Sequence, residues 1–422
     1  MDAADLQEQL EELRRRMKAA AQRADNTASA AEEFGMARAS ELECAFPIEQ
    51  ALNGQVVETP QGQHFQCRRL WERHKRHGSM DISDLEGLPP DLLEAISEGE
   101  IQAVPPARWA FIDTESTGLV GGAGTCAFLA GIGRIRPEGF ALTQYFMRDF
   151  CDEPSMLHAL SESLADADVV VSYNGKTYDI PLLETRYRLA RMKPPFERMA
   201  HLDLLHGARR LWKLRLESCR LTELEQQILG VEPEGDIAGD MIPFVYFEYL
   251  RRKEAWKLAP IFLHNALDIV TLACLAAIVP WAFRSPEDAR FSHGAEMVGL
   301  ARWLRKADKL DQALALMRRG VERGLKDDLL FRAQWDIALL EKKLGREPAA
   351  VALWSELAGC RNAFQVAALV ELAKFYEHRE KNYAMALELT EAALRGEESE
   401  ELRRRQERLK RLAGRPRNAR LL

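Results

Sequence analysis

From Trp109 onward the chain alternates between short apolar runs and helical periodicities. WAFIDTE (109–115) is a strand-like apolar run, CAFLAGIGRI (126–135) is a second, and FALTQYFM (140–147) is a third that follows the turn RPEG. Next come a helical stretch, HALSESLADA, and a buried-type strand, DVVVSYN; helical patterns then cover 180 to 192, 218 to 229 and 258 to 279. Strands in hairpin order, then helix and strand in alternation, predict an α/β domain with a mixed sheet over residues 105–286.

Beyond about residue 290 the strand signals vanish. LARWLRKADKLDQALALMRRGV, DIALLEKKLGREPAAVALWSEL and ELAKFYEHREKNYAMALELTEAAL each read as a helix, a break and a helix. Ala338 and Ala373 lie 35 residues apart, and Ala352 and Ala386 lie 34 apart, a spacing near the tetratricopeptide unit. The third copy carries Leu372, Ala373, Tyr376, Tyr383 and Ala386 at small and aromatic packing positions. An all-α, tetratricopeptide-like region is therefore expected over 290–415, and stacked helix pairs of this kind present a surface to a protein partner. At the other end, Leu6, Leu10, Leu13 and Met17 recur at helical spacing, predicting a helical or flexible segment over 1–39. Residues 40–104 mix short apolar pieces with turn signals and carry no legible chemistry.

Composition narrows the class. With 422 residues and 47% hydrophobic content the chain can bury more than one core. Its formal net charge of -7 gives no global pull toward nucleic acid, so such binding needs local basic patches. Seven scattered cysteines with no C-x-x-C pair fit a reduced, cytoplasmic compartment. The N-terminus lacks a signal peptide's apolar core and no apolar run is expected to cross a membrane, so no membrane partner is predicted.

The candidate chemistry lies in acids set on apolar elements. Asp113 and Glu115 stand at i and i+2, so both leave one face of a strand. In VVVSYNGKTYDIPLLETRY a buried strand ends at Asn174 and Gly175, and a helix begins at Tyr178 or Asp179, where an acid could equally be a cap. In FLHNALDIVTLACLAAI, His264 and Asp268 lie four residues apart on one face of a strongly apolar helix. No Lys or Arg lies within two residues of these four acids. If they converge, anions about 4 Å apart repel by roughly 4 kcal/mol per pair at an effective dielectric near 20, a cost that a divalent cation pair would offset.

These three stretches resemble the three exonuclease motifs of the DEDD superfamily of 3′-to-5′ exonucleases, whose members share a ribonuclease-H-like fold. Asp113-Thr114-Glu115 matches the first motif, Asp179 the second and Asp268 the third. The wider context, DTESTGLVGGAGTCAFLAGIG, RRLWKLRLESCRLTELEQQILG, GDIAGDMIP and HNALDIV, is similar to the YprB-like exonucleases of bacteria, over about residues 45 to 285. One superfamily class has His five residues before the last Asp and another has Tyr four before it; His264 combines the Tyr spacing with the His residue.

The resemblance implies a ribonuclease-H-like mixed sheet flanked by helices and a metal-dependent nuclease that removes 3′ nucleotides from single-stranded DNA or RNA. It implies that Asp113, Glu115, Asp179 and Asp268 hold two Mg²⁺ or Mn²⁺ ions, the hard cations that oxygen ligands favour. His264, with Glu115 in the catalytic pair, would orient or deprotonate the attacking water; an ordinary imidazole pKa of about 6.5 suits that role. Thr114, Asn174, Lys176 and Tyr178 are the expected substrate contacts, although N-G is also a common turn and Tyr178 could simply pack. The GGAGT loop lacks the G-K-[ST] ending of a Walker motif and either makes a tight hairpin or admits a nucleic acid backbone. Two basic stretches could meet phosphates: Glu184 to Arg220 holds ten Lys or Arg against four acids, and Glu401 to Leu422 holds nine against two, the latter reading equally as a solvated helix face. Asp203, Asp236 and Asp240 are expected to cap or shape loops. An endonuclease of the same fold and a non-catalytic helical scaffold are the competing functions.

Overall fold

The computed structural model of the chain describes residues 47–97, 99–118, 124–231, 235 and 237–414. The expected helical segment at the N-terminus, Cys44, most of the GGAGT loop, Asp236 and the last eight residues lie outside the described residues. The chain forms two compact units, one from residues up to Arg209 with Ser218–Arg284, the other from Arg210–Glu217 with Ser285–Leu422.

The first unit is built on a short helix α1 (Ile48–Ala51), the hairpin β1 (Gly54–Thr59) and β2 (Gly62–Glu72), and a two-stranded ribbon β3 (Arg76–His77) and β4 (Met80–Asp81). There follow the meander β5 (Trp109–Ser116), β6 (Ala127–Arg136) and β7 (Gly139–Phe146), helix α2 (Glu153–Ser163), β8 (Val169–Ser172), α3 (Asp179–Leu189), β9 (Ala200–Asp203), α4 (Leu204–Trp212), α5 (Leu221–Leu224), α6 (Ile242–Arg252) and the long α7 (Ala259–Arg284). Seven strands make one mixed sheet in the order β1-β2-β7-β6-β5-β8-β9. β5 runs antiparallel to β6 and parallel to β8, which in turn runs parallel to β9. The expected ribonuclease-H-like mixed sheet with flanking helices is thus present.

The continuous apolar runs explain the centre of the sheet. Phe111, Ile112, Val169, Val170 and Val171 are all buried, as befits parallel strands covered on both faces. β2 pairs with β7 from Phe65↔Phe146 to Glu72↔Gly139. The segment expected as a separate region over 40–104 therefore extends the same sheet as the 105–286 domain, and the two belong to one compact unit. α7 is apolar all round and buried along most of its length. Contrary to the sequence expectation, it is long and apolar enough to cross a membrane, but 78% of that stretch is buried inside the protein, as a core helix should be. Glycines let it approach the sheet: a Cβ at Gly131 would stand 2.2 Å from Ile269 Cδ1, and one at Gly133 2.6 Å from Ile269 Cγ2.

The second unit carries α8 (Gly294–Lys306), α9 (Leu310–Arg323), α10 (Asp327–Lys343), α11 (Glu347–Gly359), α12 (Gln365–His378), α13 (Tyr383–Gly396) and α14 (Glu400–Ala413). Each packs on the next in sequence, so the unit is a run of helical hairpins. Small residues sit at the helix contacts: Ala301, Ala313, Ala338, Ala350, Ala373 and Ala386 are fully buried. Ala352, expected as the counterpart of Ala386 in the preceding repeat, is exposed; Ala350 takes the inward position. Buried Glu377 on α12 ties down α14 by accepting from Arg405 at 2.9 Å and Arg408 at 2.7 Å. Among the described residues the six cysteines are free thiols.

Candidate active site

The acids meet at the C-terminal end of β5. Asp113 and Glu115 leave one face of this strand at the point where burial changes from complete to partial. Asp113 lies opposite Gly131 and Glu115 opposite Leu129 on β6, and the register shifts just after Glu115, which ends the regular pairing beside the site. From the parallel side, β8 stops at Ser172 and the chain turns through Asn174, whose φ of 64° is left-handed, before α3 begins at Asp179. Gly175 is packed tightly in that turn; a Cβ there would stand 2.5 Å from Ser172 Oγ and 3.2 Å from Asp179 Oδ2. The N-G pair is therefore a steric requirement of bringing Asp179 back onto the strand end.

α7 supplies the remaining groups. His264 Nε2 lies 3.6 Å from Asp268 Oδ2, one turn further on, both side chains being only partly accessible. Between them Asn265, fully buried, donates from Nδ2 to Asp113 Oδ2 at 2.8 Å and to the Asp113 carbonyl at 3.2 Å.

Burial, and then the negative charges of Asp268 and Asp179, hold the Asp113 carboxyl well above the ordinary carboxylate range, with His264 and the bond from Asn265 pulling the other way. Burial likewise pushes the Asp179 carboxyl up to about 6, against the hydrogen bonds from Thr114. Three acids from three separate segments, with the imidazole beside them, are thus close enough to disturb one another's ionisation. Among the described residues no three His, Cys, Asp or Glu side chains stand in a ready-made metal-holding group. The donor chemistry nonetheless fits a hard divalent cation: carboxylate oxygens whose mutual repulsion a positive charge would relieve.

The expected substrate contacts divide. Thr114 faces inward, giving its N–H at 3.1 Å and its hydroxyl at 2.5 Å to Asp179 Oδ1. Lys176 is exposed, with its ammonium 3.9 Å from Glu100. Tyr178 is 60% exposed at the helix start and does not pack into the core. The N–H groups of Asn174 and Lys176 are held by Asp203, at 2.8 and 3.1 Å, and the same carboxylate accepts from Leu205 N at the start of α4. Asp203 therefore shapes the loop and caps a helix, as expected for it, while Asp240 sits exposed in a short turn, Gly239–Met241. His201, pushed down to about 4 by burial and then by Lys176, is a neutral partner for Ser172 Oγ at 2.7 Å.

Sequence reasoning missed Asn265, and with it Gln144 on β7, whose Nε2 donates to Asn265 Oδ1 at 2.9 Å. The basic stretches are engaged internally to a large degree. Arg186 pairs with Glu153 at 2.6 Å, Arg188 with Glu184 at 3.0 Å and Lys193 with Glu197 at 3.5 Å, and Arg198 donates to the carbonyl of Ala167. The final helix likewise pairs Arg404 with Glu400 and Lys410 with Glu391, as a solvated face does.

Fold and site together define a ribonuclease-H-like domain of the nuclease type. A family model described as RNase_H superfamily matches residues 110–279, a span that opens on β5, closes within α7 and contains all four acids. "Uncharacterized protein YprB" of Bacillus subtilis (strain 168) is 35% identical to this chain over 312 residues, covering 71% of the chain and 74% of that relative. The chain belongs to the YprB family, whose core is the ribonuclease-H-like sheet described above.

Proposed function

We propose that this protein is a metal-dependent 3′-to-5′ exonuclease acting on single-stranded ends of nucleic acid. The observation that carries the proposal is the convergence of Asp113, Asp179 and Asp268, from strand and helix segments up to 155 residues apart, into one buried group whose charges oppose each other. Asp113, Glu115, Asp179 and Asp268 would hold Mg²⁺ or Mn²⁺, which when bound supplies charge for the attacking water and the leaving 3′ oxygen.

The chain's own groups then divide the work. Thr114 fixes the rotation of the Asp179 carboxylate. His264, beside Asp268 and partly accessible, would take the proton of the attacking water. Tyr178 offers an exposed ring on which a terminal base could stack, with Lys176 reaching for phosphate two residues away. The two bonds that Thr114 gives to Asp179 argue against its expected contact with substrate. The free thiols suit a reducing cytoplasm, and we read the helical hairpins as a tetratricopeptide-like surface that recruits a protein partner.

The test incubates purified full-length protein with end-labelled single strands and Mn²⁺, beside an Asp113→Asn control. Stepwise loss of 3′ nucleotides by the wild type alone is the expected result. Internal cuts would assign an endonuclease of the same fold, and identical products from wild type and control would leave a non-catalytic scaffold.

A further inference from the structure

The ordinary expectation for an acid on a strand end is that its own backbone and the solvent determine where the carboxylate points. Here the carboxylate of Asp113 is instead tied to the element that carries His264 and Asp268. Asn265 lies between these two in sequence, is fully buried, and spends both amide hydrogens' worth of donor capacity on Asp113, reaching Oδ2 at 2.8 Å and the carbonyl at 3.2 Å. A bond to the carbonyl fixes where the strand lies against the helix, and a bond to Oδ2 fixes the rotation of the carboxylate about its terminal torsion.

Asn265 is itself oriented from the far side. Gln144, fully buried on β7, donates from Nε2 to Asn265 Oδ1 at 2.9 Å and to the carbonyl of Phe262 at 2.8 Å. The first bond sets which end of the Asn265 amide faces Asp113: oxygen toward Gln144, nitrogen toward the acid. The second reaches a carbonyl of α7 one turn before Asn265. The sheet is cut away to admit the pair, because Gly131 lies opposite both Asp113 and Gln144 in the sheet, and a Cβ there would stand 2.5 Å from Asn265 Oδ1. Two amides buried in an otherwise apolar contact cost desolvation that a Leu or Val pair would not, so stability alone does not account for them.

We infer that Gln144 and Asn265 are positioning residues that lock the Asp113 carboxylate at a fixed place relative to His264 and Asp268, so that the acids receive a divalent cation without first rearranging. This inference rests on the proposed metal-dependent nuclease. Neither amide touches substrate or the reacting atoms; both act through Asp113.

The test uses the full-length chain, Mn²⁺ as the probe, and three variants. Gln144→Leu keeps volume and removes the outer donor; Asn265→Asp keeps shape and removes the inner donors. Calorimetric titration gives the Mn²⁺ affinity, melting in chelator gives the stability of the metal-free fold, and oligonucleotide cleavage gives kcat and KM. Loss of a second-layer partner costs about 10–100-fold in metal affinity or activity. The expected result is a drop of that size in Mn²⁺ affinity and kcat for Gln144→Leu, with KM for the oligonucleotide unchanged and metal-free melting within a few degrees of wild type. Gln144→Asn, too short to reach Asn265 but equally polar, should behave as Gln144→Leu does; activity equal to wild type in either folded variant overturns the inference. If a variant melts far below wild type, the other variants and the Mn²⁺ titration of whatever fraction folds still decide, since unchanged affinity per folded molecule also overturns it. A wild type that binds Mn²⁺ while the variants bind it equally well defeats only the positioning role, whereas a wild type that binds none defeats the nuclease proposal itself.

Discussion

Thr114 gives both its backbone N–H and its hydroxyl to one oxygen of Asp179, 65 residues further along the chain. The first acid strand is thereby tied to the first turn of α3, and a residue that the motif resemblance assigns to substrate is engaged by a carboxylate instead. Thr114→Val keeps the N–H and the shape but removes the hydroxyl. Mn²⁺ affinity should fall about 10–100-fold with KM for an oligonucleotide little changed, and Thr114→Ser should restore it. Calorimetry beside steady-state kinetics checks this; a change confined to KM would return Thr114 to the substrate.

Asp113→Asn should stabilise the protein in the absence of metal. The fold raises the Asp113 carboxyl well above the ordinary carboxylate range, through burial first and the neighbouring acids second, and so disfavours the charged form that the unfolded chain carries at neutral pH. Removing that charge while keeping an acceptor for Asn265 should gain on the order of 1 kcal/mol, or about 2–4 °C in Tm for a domain of this size. The response to metal should reverse the ranking. Mn²⁺ at 100 times its Kd adds about 2.7 kcal/mol to the wild type and little to the variant. Melting in chelator and in Mn²⁺ reads both effects, and a variant less stable than wild type in chelator would contradict the repulsion between the acids.

A buried histidine bonded further along α7 makes stability depend on pH. His77 Nε2 lies 2.7 Å from Thr271 Oγ1, and the Thr271 hydroxyl donates to buried Glu225 at 2.7 Å, so the neutral His77 ring is the donor to Thr271. Burial pushes its pKa down to about 4. The unfolded chain takes up this proton as pH falls through about 6.5, while the fold refuses it until about 4, so stability is lost across that window. By pH 5 the loss from this group should reach about 2 kcal/mol. Urea unfolding at pH 7.5 and pH 5 should show wild type losing that much more than His77→Gln, whose amide can still donate to Thr271. Equal losses would mean that His77 charges within the fold.

What the sequence made legible follows from which residues are conspicuous. An acid on an apolar element stands out because its burial is costly, so Asp113, Glu115, Asp179 and Asp268 were visible, as was His264 one turn from the last. Gln144 and Asn265 were not, because an amide on a buried element matches no motif and its partner lies on another strand. Hairpin order gave β5, β6 and β7. The pairing of β2 with β7, some 75 residues away in sequence, left no local mark and hid the extension of the sheet. β9 with its four residues, α4 with nine and α6 with eleven are short elements that were not expected from the sequence. In the helical unit Ala338, Ala373 and Ala386 are buried at helix contacts whereas Ala352 is exposed, since α11 presents several alanines and only packing selects Ala350.

The approach of α7 to the sheet depends on a missing side chain, which gives the sharpest test of the site's construction. Gly131→Ala would put a methyl 2.2 Å from Ile269 Cδ1 and 2.5 Å from Asn265 Oδ1. Ile269 and Asn265 sit on a helix buried along most of its length, and Asn265 is held by Gln144 and Asp113, so neither can simply swing aside. Overpacking of this kind costs about 1–3 kcal/mol, and relief by sliding α7 away from β6 would move His264 and Asp268 away from Asp113 together. Gly131→Ala should therefore lower the urea midpoint and also weaken Mn²⁺ binding. Gly133→Ala meets Phe140 and Ile269 but not Asn265, so it should lower the midpoint with less effect on the metal. Equal Mn²⁺ affinity in the two variants would show that the contact at Gly131 supports the fold alone and not the placing of the acids.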